Sequence, residues 1–132
     1  MSTILYAEDN SEIRKVYKEF FQEAFPDHDI VIVESGSALE EKLSEGIGDV
    51  KVVIADNDMP PGLKGSQIIA EYAQKKSFEQ TPFILHYTGD KSTGEFLVRK
   101  YDNVFYMPKP TDFRNFEKFI RDILNYPIQS SQ

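Results

Sequence analysis

Five short apolar runs alternate along the chain with five segments of helical spacing, and this alternation constrains the fold more than any other feature. The runs lie at residues 4–7, 30–33, 52–55, 82–87 and 104–107. The run from Val52 to Ala55 is β-branched and does not alternate between polar and apolar positions, which is typical of a parallel strand buried on both faces. Strict alternation of strands and helices predicts an α/β fold, with helices on both faces of a parallel sheet and right-handed crossovers.

The helical segments differ in how clearly they are marked. Asn10 or Ser11 can cap the first helix, whose apolar residues follow at helical spacing. The fourth segment is the weakest, because residues 92–94 are poor helix formers, and we expect a short helix from Glu95 to Tyr101. Residues 127–132 lack an apolar pattern, so we expect a loose C-terminal tail.

The composition limits size, location and partners. A chain of 132 residues, 40% hydrophobic, has room for one core, and we expect one domain over residues 1–126. A formal net charge of −7 argues against direct nucleic-acid binding, which needs a basic footprint. There is no cysteine for disulfides, and the first apolar run is too short for a signal or membrane segment. The sequence therefore predicts a cytoplasmic protein without a membrane contact.

Candidate site residues follow four of the five predicted strands. The carboxyl ends of parallel strands share one edge of the sheet. Six residues should therefore gather there: Glu8, Asp9, Asp56, Asp58, Thr88 and Lys109. Neighbouring carboxylates repel and raise one another's pKa unless a cation lies among them.

Mg2+ would relieve this repulsion, because it takes oxygen ligands and is usually held by one or two carboxylates plus a phosphate. Lys109 adds a mobile positive charge to this edge, and Thr88 adds a hydroxyl donor. These groups can stabilise charge on a transferring phosphoryl group while one carboxylate acts as the nucleophile. The sequence therefore predicts a Mg2+ site at which a phosphoryl group is transferred.

Several separated motifs lie on these elements: the acid pair Glu8-Asp9, the pattern from Asp56 to Met59-Pro60, the pair Thr88-Gly89, and Lys109-Pro110 with Tyr106 three residues before the lysine. Together they resemble the receiver domain of the two-component response regulator family. Each motif is weak by itself, but the order in which they occur is specific. The resemblance covers Ile4 to about Tyr126 and is to the stand-alone, chemotaxis-receiver-like type.

The resemblance implies a fold and a role for each site residue. The fold is flavodoxin-like, with three layers and a five-stranded sheet of order 2-1-3-4-5. Asp56 matches the phosphoacceptor, and Lys109 matches the lysine that contacts the phosphoryl group. The implied metal ligands are Glu8, Asp9, Asp56 and the backbone carbonyl of Asp58, with Glu8 acting through water. The implied switch pair is Thr88 and Tyr106. Asp58 and Asp90 are implied to tune the lifetime of the phosphorylated state. The Lys109-Pro110 peptide bond is implied to be cis.

The resemblance also implies the partners. The chain has no candidate catalytic histidine, so the phosphoryl group should arrive from a histidine kinase or a histidine phosphotransfer protein. The protein should assist its own phosphorylation and autodephosphorylation. Because the sequence ends after the fifth helix, we expect a separate downstream protein target and no attached output module. Homodimerisation on phosphorylation is compatible with this resemblance.

Two positions depart from the family pattern. Gly65 comes one residue later after Asp56 than the family spacing, so we expect a slightly rebuilt loop from Pro60 to Lys64. Pro108 removes an amide donor from the last strand, which predicts an edge position for that strand.

Simpler readings of the same residues stay open. The run from Asp56 to Asp58 can be a turn cluster, and Glu8 and Asp9 can simply favour the positive end of a helix. Lys109 taken alone can be a solvated surface lysine. The stripe from Phe113 to Leu124 is first of all a core-facing helix stripe.

Two functions of other classes also stay open. Asp56 and Asp58, with Thr88 and Lys109, also resemble an aspartate-nucleophile phosphatase, although Pro60 stands where that pattern expects Thr or Val. A receiver fold can also serve as a docking module that needs no phosphorylation. The intact set of acids and lysine argues against this second alternative.

Overall fold

The computed structural model describes residues 2–46, 48–109, 112–125 and 128. The strands are β1 (Thr3–Ala7), β2 (Asp29–Val33), β3 (Val50–Ala55), β4 (Phe83–Tyr87) and β5 (Val104–Pro108). The helices are α1 (Ser11–Ala24), α2 (Gly36–Glu45), α3 (Gly65–Ala73), α4 (Lys91–Lys100) and α5 (Phe113–Asn125), and a short 3-10 helix covers Lys76–Phe78. Every predicted strand is present, with bounds that differ by one or two residues.

The five strands form one parallel sheet in the order β2-β1-β3-β4-β5. This confirms the flavodoxin-like α/β fold expected from the sequence. It also confirms the expected edge position of β5, whose last residue is Pro108. A proline is tolerated there because a missing amide donor at an edge breaks no ladder between two strands.

Successive side chains of a strand point to opposite faces, so each strand contributes to two cores. One core packs β1, β3 and β4 against α1 and α5 through buried residues that include Ile4, Tyr6, Phe21, Ile84 and Phe116. The other core packs the sheet against α2, α3 and α4 through buried residues that include Leu5, Leu39, Val53, Ile68 and Leu97. The sheet is therefore covered on both faces, and its carboxyl edge is left for polar groups.

Side-chain caps decide where three helices begin. Asn10, one of the two predicted candidates, caps α1 by accepting from the amides of Glu12 and Ile13. Ser35 caps α2 in the same way. The predicted start of α4 at Glu95 is wrong, because α4 begins at Lys91, where the Asp90 carboxylate accepts from the amide of Ser92. This cap outweighs the weak helix propensity of the first turn.

Two expectations lie largely outside the described residues. The Lys109-Pro110 peptide bond involves a residue that is not described, and of the expected tail at residues 127–132 only Ile128 is described. Within the ranges that are described, none of the helices has the length and apolar character needed to cross a membrane.

Candidate functional site

The candidate site lies at the carboxyl edge of the sheet, where the main chain just beyond three strands is still fixed by hydrogen bonds. The amide of Glu8 donates to the carbonyl of Val33 (3.0 Å), and the amide of Asp56 donates to that of Ala7 (3.1 Å). The amide of Lys109 donates to the carbonyl of Tyr87 (3.1 Å). Three site residues are therefore held by the sheet itself.

Three carboxylates come together at this edge, as expected from the sequence. Glu8, Asp9 and Asp56 each offer one oxygen, and these oxygens all lie within 4.8 Å of one another. The three side chains differ in exposure. Glu8 is 1% exposed, Asp56 is partly buried and Asp9 is exposed. We call these three residues the acid group.

Lys109 neutralises part of the acid group. Its Nζ contacts Oε1 of Glu8 and lies 3.3 Å from Oδ2 of Asp56, and its side chain is 12% exposed. Burial opposes the charge on the ammonium, but the two carboxylates outweigh this effect and raise the pKa of Lys109. The ammonium therefore stays charged and joins the ends of β1, β3 and β5.

One cation does not balance three carboxylates. Partial desolvation and the neighbouring Glu8 raise the pKa of Asp9, although Lys109 acts in the opposite direction. A raised carboxyl pKa shows that the site disfavours further negative charge. Oxygen ligands with excess negative charge suit a hard divalent cation such as Mg2+, so the donor set fits the metal that the sequence predicts.

Three other predicted site residues, Asp58, Thr88 and Asp90, lie outside the acid group and are exposed. The carboxylate of Asp58 lies outside the acid group, 3.9 Å from Nζ of Lys64. Asp90 caps α4, and its hydrogen bonds to Ser92 lower its pKa. Among the described residues, the side chain of Thr88 has no hydrogen-bond partner.

Tyr106 lies on β5, beside the end of β4. Its hydroxyl is 3.5 Å from the carbonyl of Tyr87, the residue before Thr88. Its ring packs directly on Gly94 of α4, where a Cβ would overlap the ring. Gly94 thus leaves the space in α4 that the tyrosine ring fills.

Two close contacts shape the loop after Asp56. Asn57 is buried, its side-chain oxygen accepts from the amide of Ser66 (2.9 Å), and its carbonyl accepts from the amide of Gly65 (2.9 Å). A Cβ on Gly65 would overlap the carbonyl oxygen of Asp56. The chain therefore needs a residue without a side chain where it returns to Asp56, and the expected rebuilding of the Pro60–Lys64 loop relative to the family stays a prediction.

Sequence reasoning missed four residues near the site. Arg14 binds the main-chain carbonyls of Glu8 and Asp9, and Asn57, directly after Asp56, binds the start of α3 through the amide of Ser66. The only sequence signal of these two residues is proximity to the acids. Tyr6 and His86 lie beneath the site, fully buried, with the Tyr6 hydroxyl 3.4 Å from Nδ1 of His86. Burial, and secondarily Lys109, lowers the pKa of His86 to about 3. No sequence pattern distinguishes a buried histidine on a strand from an exposed one.

Comparisons of the chain with known proteins give matches by structure and none by sequence. No family model matches the chain, and a search of curated proteins finds no match. A response regulator receiver domain protein from Clostridium thermocellum has a TM-score of 0.78 at 20% identity, with 95% of each chain covered.

Two further solved structures agree in fold. The response regulator TrrA from Thermotoga maritima, in complex with Mg2+ and BeF, has a TM-score of 0.75 at 25% identity, with 93% of this chain and 99% of that chain covered. The receiver domain of a DNA-binding response regulator from Colwellia psychrerythraea has a TM-score of 0.78 at 21% identity, with 96% and 100% covered. The chain therefore has the fold of response regulator receiver domains over nearly its whole length, as the sequence motifs predict.

Proposed function

We propose that this chain is a phosphorylation-dependent signalling switch of a two-component phosphorelay, with Asp56 as the phosphoacceptor. One observation carries the proposal. The Asp56 carboxylate is partly accessible at the carboxyl edge of the sheet, next to Glu8, Asp9 and the ammonium of Lys109. A nucleophilic carboxylate, two further acids and one lysine are the groups that phosphoryl transfer to an aspartate requires.

Asp9, Asp56 and the Asp58 carbonyl would hold Mg2+, and Glu8 would act through water. Lys109 and the amide of Asn10 already engage the Glu8 carboxylate, which leaves Asp9 the freer of the pair. When bound, Mg2+ supplies positive charge to the phosphoryl oxygens. The site belongs to a receiver domain that we place at residues 1–126 of a cytoplasmic protein.

The transfer step exchanges one bond to phosphorus for another. An oxygen of Asp56 bonds to phosphorus while the bond from phosphorus to the donor histidine nitrogen breaks, and that nitrogen recovers its electron pair. Lys109 lies 3.3 Å from the Asp56 carboxylate, close enough to pair with a phosphoryl oxygen. The donor is a histidine kinase or a histidine phosphotransfer protein.

Thr88 and Tyr106 carry the signal away from Asp56. A phosphoryl group brings about two negative charges and three acceptor oxygens, which would draw the exposed Thr88 hydroxyl towards it. Tyr106, already beside the carbonyl of Tyr87, would then turn into the vacated space. This population shift would alter the surface of α4, β5 and α5, which we propose binds a downstream protein.

The phosphatase alternative has less support. It needs Asp58 as an acid and base, but the Asp58 carboxylate is exposed and lies outside the acid group. A phosphomonoesterase assay with Mg2+ distinguishes this activity from that of a switch.

The test is incorporation of acid-labile phosphate from a small phosphodonor in the presence of Mg2+. Wild-type protein should incorporate label and Asp56→Asn should incorporate none, while Asp122→Asn on the exposed face of α5 is the matched control. Full labelling of Asp56→Asn would place the phosphoacceptor elsewhere. Addition of beryllofluoride should also shift amide resonances over residues 91–107, and shifts confined to Asp56 would indicate a phosphate sink without a switch.

A further inference from the structure

Arg14 reaches back from the first turn of α1 to the main chain of the acid pair. Its Nη1 donates to the carbonyl of Glu8 (2.9 Å) and to the carbonyl of Asp9 (2.9 Å). The side chain is 24% exposed, and Nη2 lies 3.8 Å from the exposed carboxylate of Glu34. One guanidinium group thus binds two consecutive carbonyls of the β1-α1 loop.

These two hydrogen bonds fix the residues that carry two of the three carboxylates. Carbonyls that leave a strand need new donors, and hydrogen bonds from a charged donor are the stronger kind. The other end of the loop is fixed by Asn10, whose amide donates to Oε2 of Glu8 (3.1 Å) and whose carbonyl accepts from the amide of Arg14 (2.9 Å). The loop conformation therefore depends on a closed set of contacts within seven residues, 8–14.

The guanidinium acts on the main chain more than on the carboxylates. Both hydrogen bonds of its Nη1 go to main-chain carbonyls, and its ion pair is with Glu34, outside the acid group. Lys109 supplies the cation that contacts the carboxylates directly, on the side of the site formed by β5. Arg14 and Lys109 thus have separate roles.

We infer that Arg14 is a positioning residue, which sets the geometry of the Glu8-Asp9 pair and thereby makes the acid group selective for Mg2+ over Ca2+. This inference rests on the metal site of the proposed function. Mg2+ demands near-octahedral geometry with short bonds, whereas Ca2+ accepts longer bonds and irregular geometry. A loop released from Arg14 should lose affinity for Mg2+ more than for Ca2+.

The test is equilibrium binding of Mg2+ and Ca2+, followed by amide resonances of residues 8, 9 and 56. Arg14→Met keeps the length and apolar stem of the side chain but removes its donors. It should weaken Mg2+ binding by about tenfold, as loss of partners that orient metal ligands typically does, and weaken Ca2+ binding less. Glu34→Gln, which removes only the outer contact of Arg14, is the matched control and should leave both affinities unchanged.

Three results would overturn the inference. An unchanged ratio of the two affinities in Arg14→Met would show that the guanidinium does not position the pair. If Arg14→Met fails to fold, Arg14→Lys takes its place, because its shorter side chain keeps the charge without the two-carbonyl contact, and an unchanged ratio there has the same meaning. Absence of Mg2+ binding in wild-type protein would overturn the metal site and with it the proposed function. Normal Mg2+ binding in wild-type protein with an unchanged affinity ratio in the variant would overturn only this inference.

Discussion

The candidate site has two sides that are built differently. The acid side consists of the acid group and Lys109, and the proposed readout side consists of Thr88, Asp90 and Tyr106. On the acid side, the Glu8 side chain is almost fully buried, that of Lys109 is 12% exposed, and Lys109 joins the ends of three strands. On the readout side, Thr88 and Asp90 are exposed, and Tyr106 contacts β4 through a hydroxyl 3.5 Å from the Tyr87 carbonyl. The groups proposed to accept the phosphoryl group are thus held in place in advance, whereas Thr88, whose side chain has no hydrogen-bond partner among the described residues, has few contacts to lose when it moves.

This difference follows from the cost of burying charge. A buried carboxylate or ammonium needs a partner at all times, so the acid side can change little without a large loss of free energy. Exposed hydroxyls and caps exchange their partners for water at small cost. We expect substitutions on the acid side to affect stability strongly and those on the readout side to affect mainly the signal.

The largest effect on stability should come from Lys109→Met. The substitution leaves the buried Glu8 carboxylate without its cation and should lower the free energy of unfolding by about 3 kcal/mol. Urea unfolding without divalent cations measures this loss. Lys64→Met, which removes an exposed lysine 3.9 Å from Asp58, should cost less than about 1 kcal/mol. Equal stability of the two variants would show that the buried Lys109–Glu8 pair contributes no more to stability than an exposed ion pair.

Restoring the charge balance sharpens the same comparison. Addition of Glu8→Gln to Lys109→Met removes the uncompensated buried charge and should recover part of the lost stability. If the double variant is less stable than the single variant by the full cost of Glu8→Gln alone, Glu8 and Lys109 do not stabilise each other.

His86, buried beneath the acid side, should make the protein sensitive to acid. Its pKa in the folded protein is about 3, below the ordinary value of 6.5, so the unfolded chain takes up the proton first as the pH falls. The stability contributed by the neutral ring is complete above pH 6.5 and is lost between pH 6.5 and about 3, by about 1.4 kcal/mol per pH unit. His86→Leu should flatten this dependence in urea unfolding measured from pH 7 to 4. A difference between the two proteins that does not vary with pH would contradict the assignment.

On the readout side, Gly94→Ala should displace Tyr106. The added methyl group overlaps the ring, and the cost of overpacking should exceed the gain in helix propensity by about 1 kcal/mol. Phosphate incorporation on Asp56 should stay close to wild type, while the Tyr106 ring resonances should shift. Ser92→Ala on the exposed face of the same helix is the control. Unmoved Tyr106 resonances would show that the ring does not depend on the space left by the glycine.

The smallest effects should come from the two exposed acids. We propose that both flank the phosphoryl group on Asp56 and orient or repel the attacking water, so Asp58→Asn and Asp90→Ala should each change the lifetime of the phosphorylated state by several-fold. Asp90→Asn keeps an N-cap that Asp90→Ala loses, so the pair separates the charge from the cap. Phosphate release after removal of the donor gives the lifetimes. Lifetimes equal to wild type in all three variants would remove both acids from the mechanism.

Much of the fold and the reactive centre could be predicted from the sequence. Strand positions followed from short apolar runs, and the meeting of Glu8, Asp9, Asp56 and Lys109 followed from parallel strands whose carboxyl ends share an edge. The start of α4 could not be read from propensity, because a single capping carboxylate at Asp90 offset the weak residues after it. Local caps are decided by atomic geometry that a residue pattern does not contain.

The sequence by itself determined which residues reach the carboxyl edge of the sheet. All strands of a parallel sheet run in the same direction, so the residues that follow each strand lie at the same edge. Only the tertiary structure decided which groups touch at that edge. In that structure, Lys109 contacts Glu8 as well as Asp56. Arg14 donates to two main-chain carbonyls, and His86 is buried. The Tyr106 ring packs against Gly94. The physical reason is that these contacts depend on side-chain rotamers and on the distances between elements that are remote in sequence, and neither is fixed by the spacing of residues along the chain.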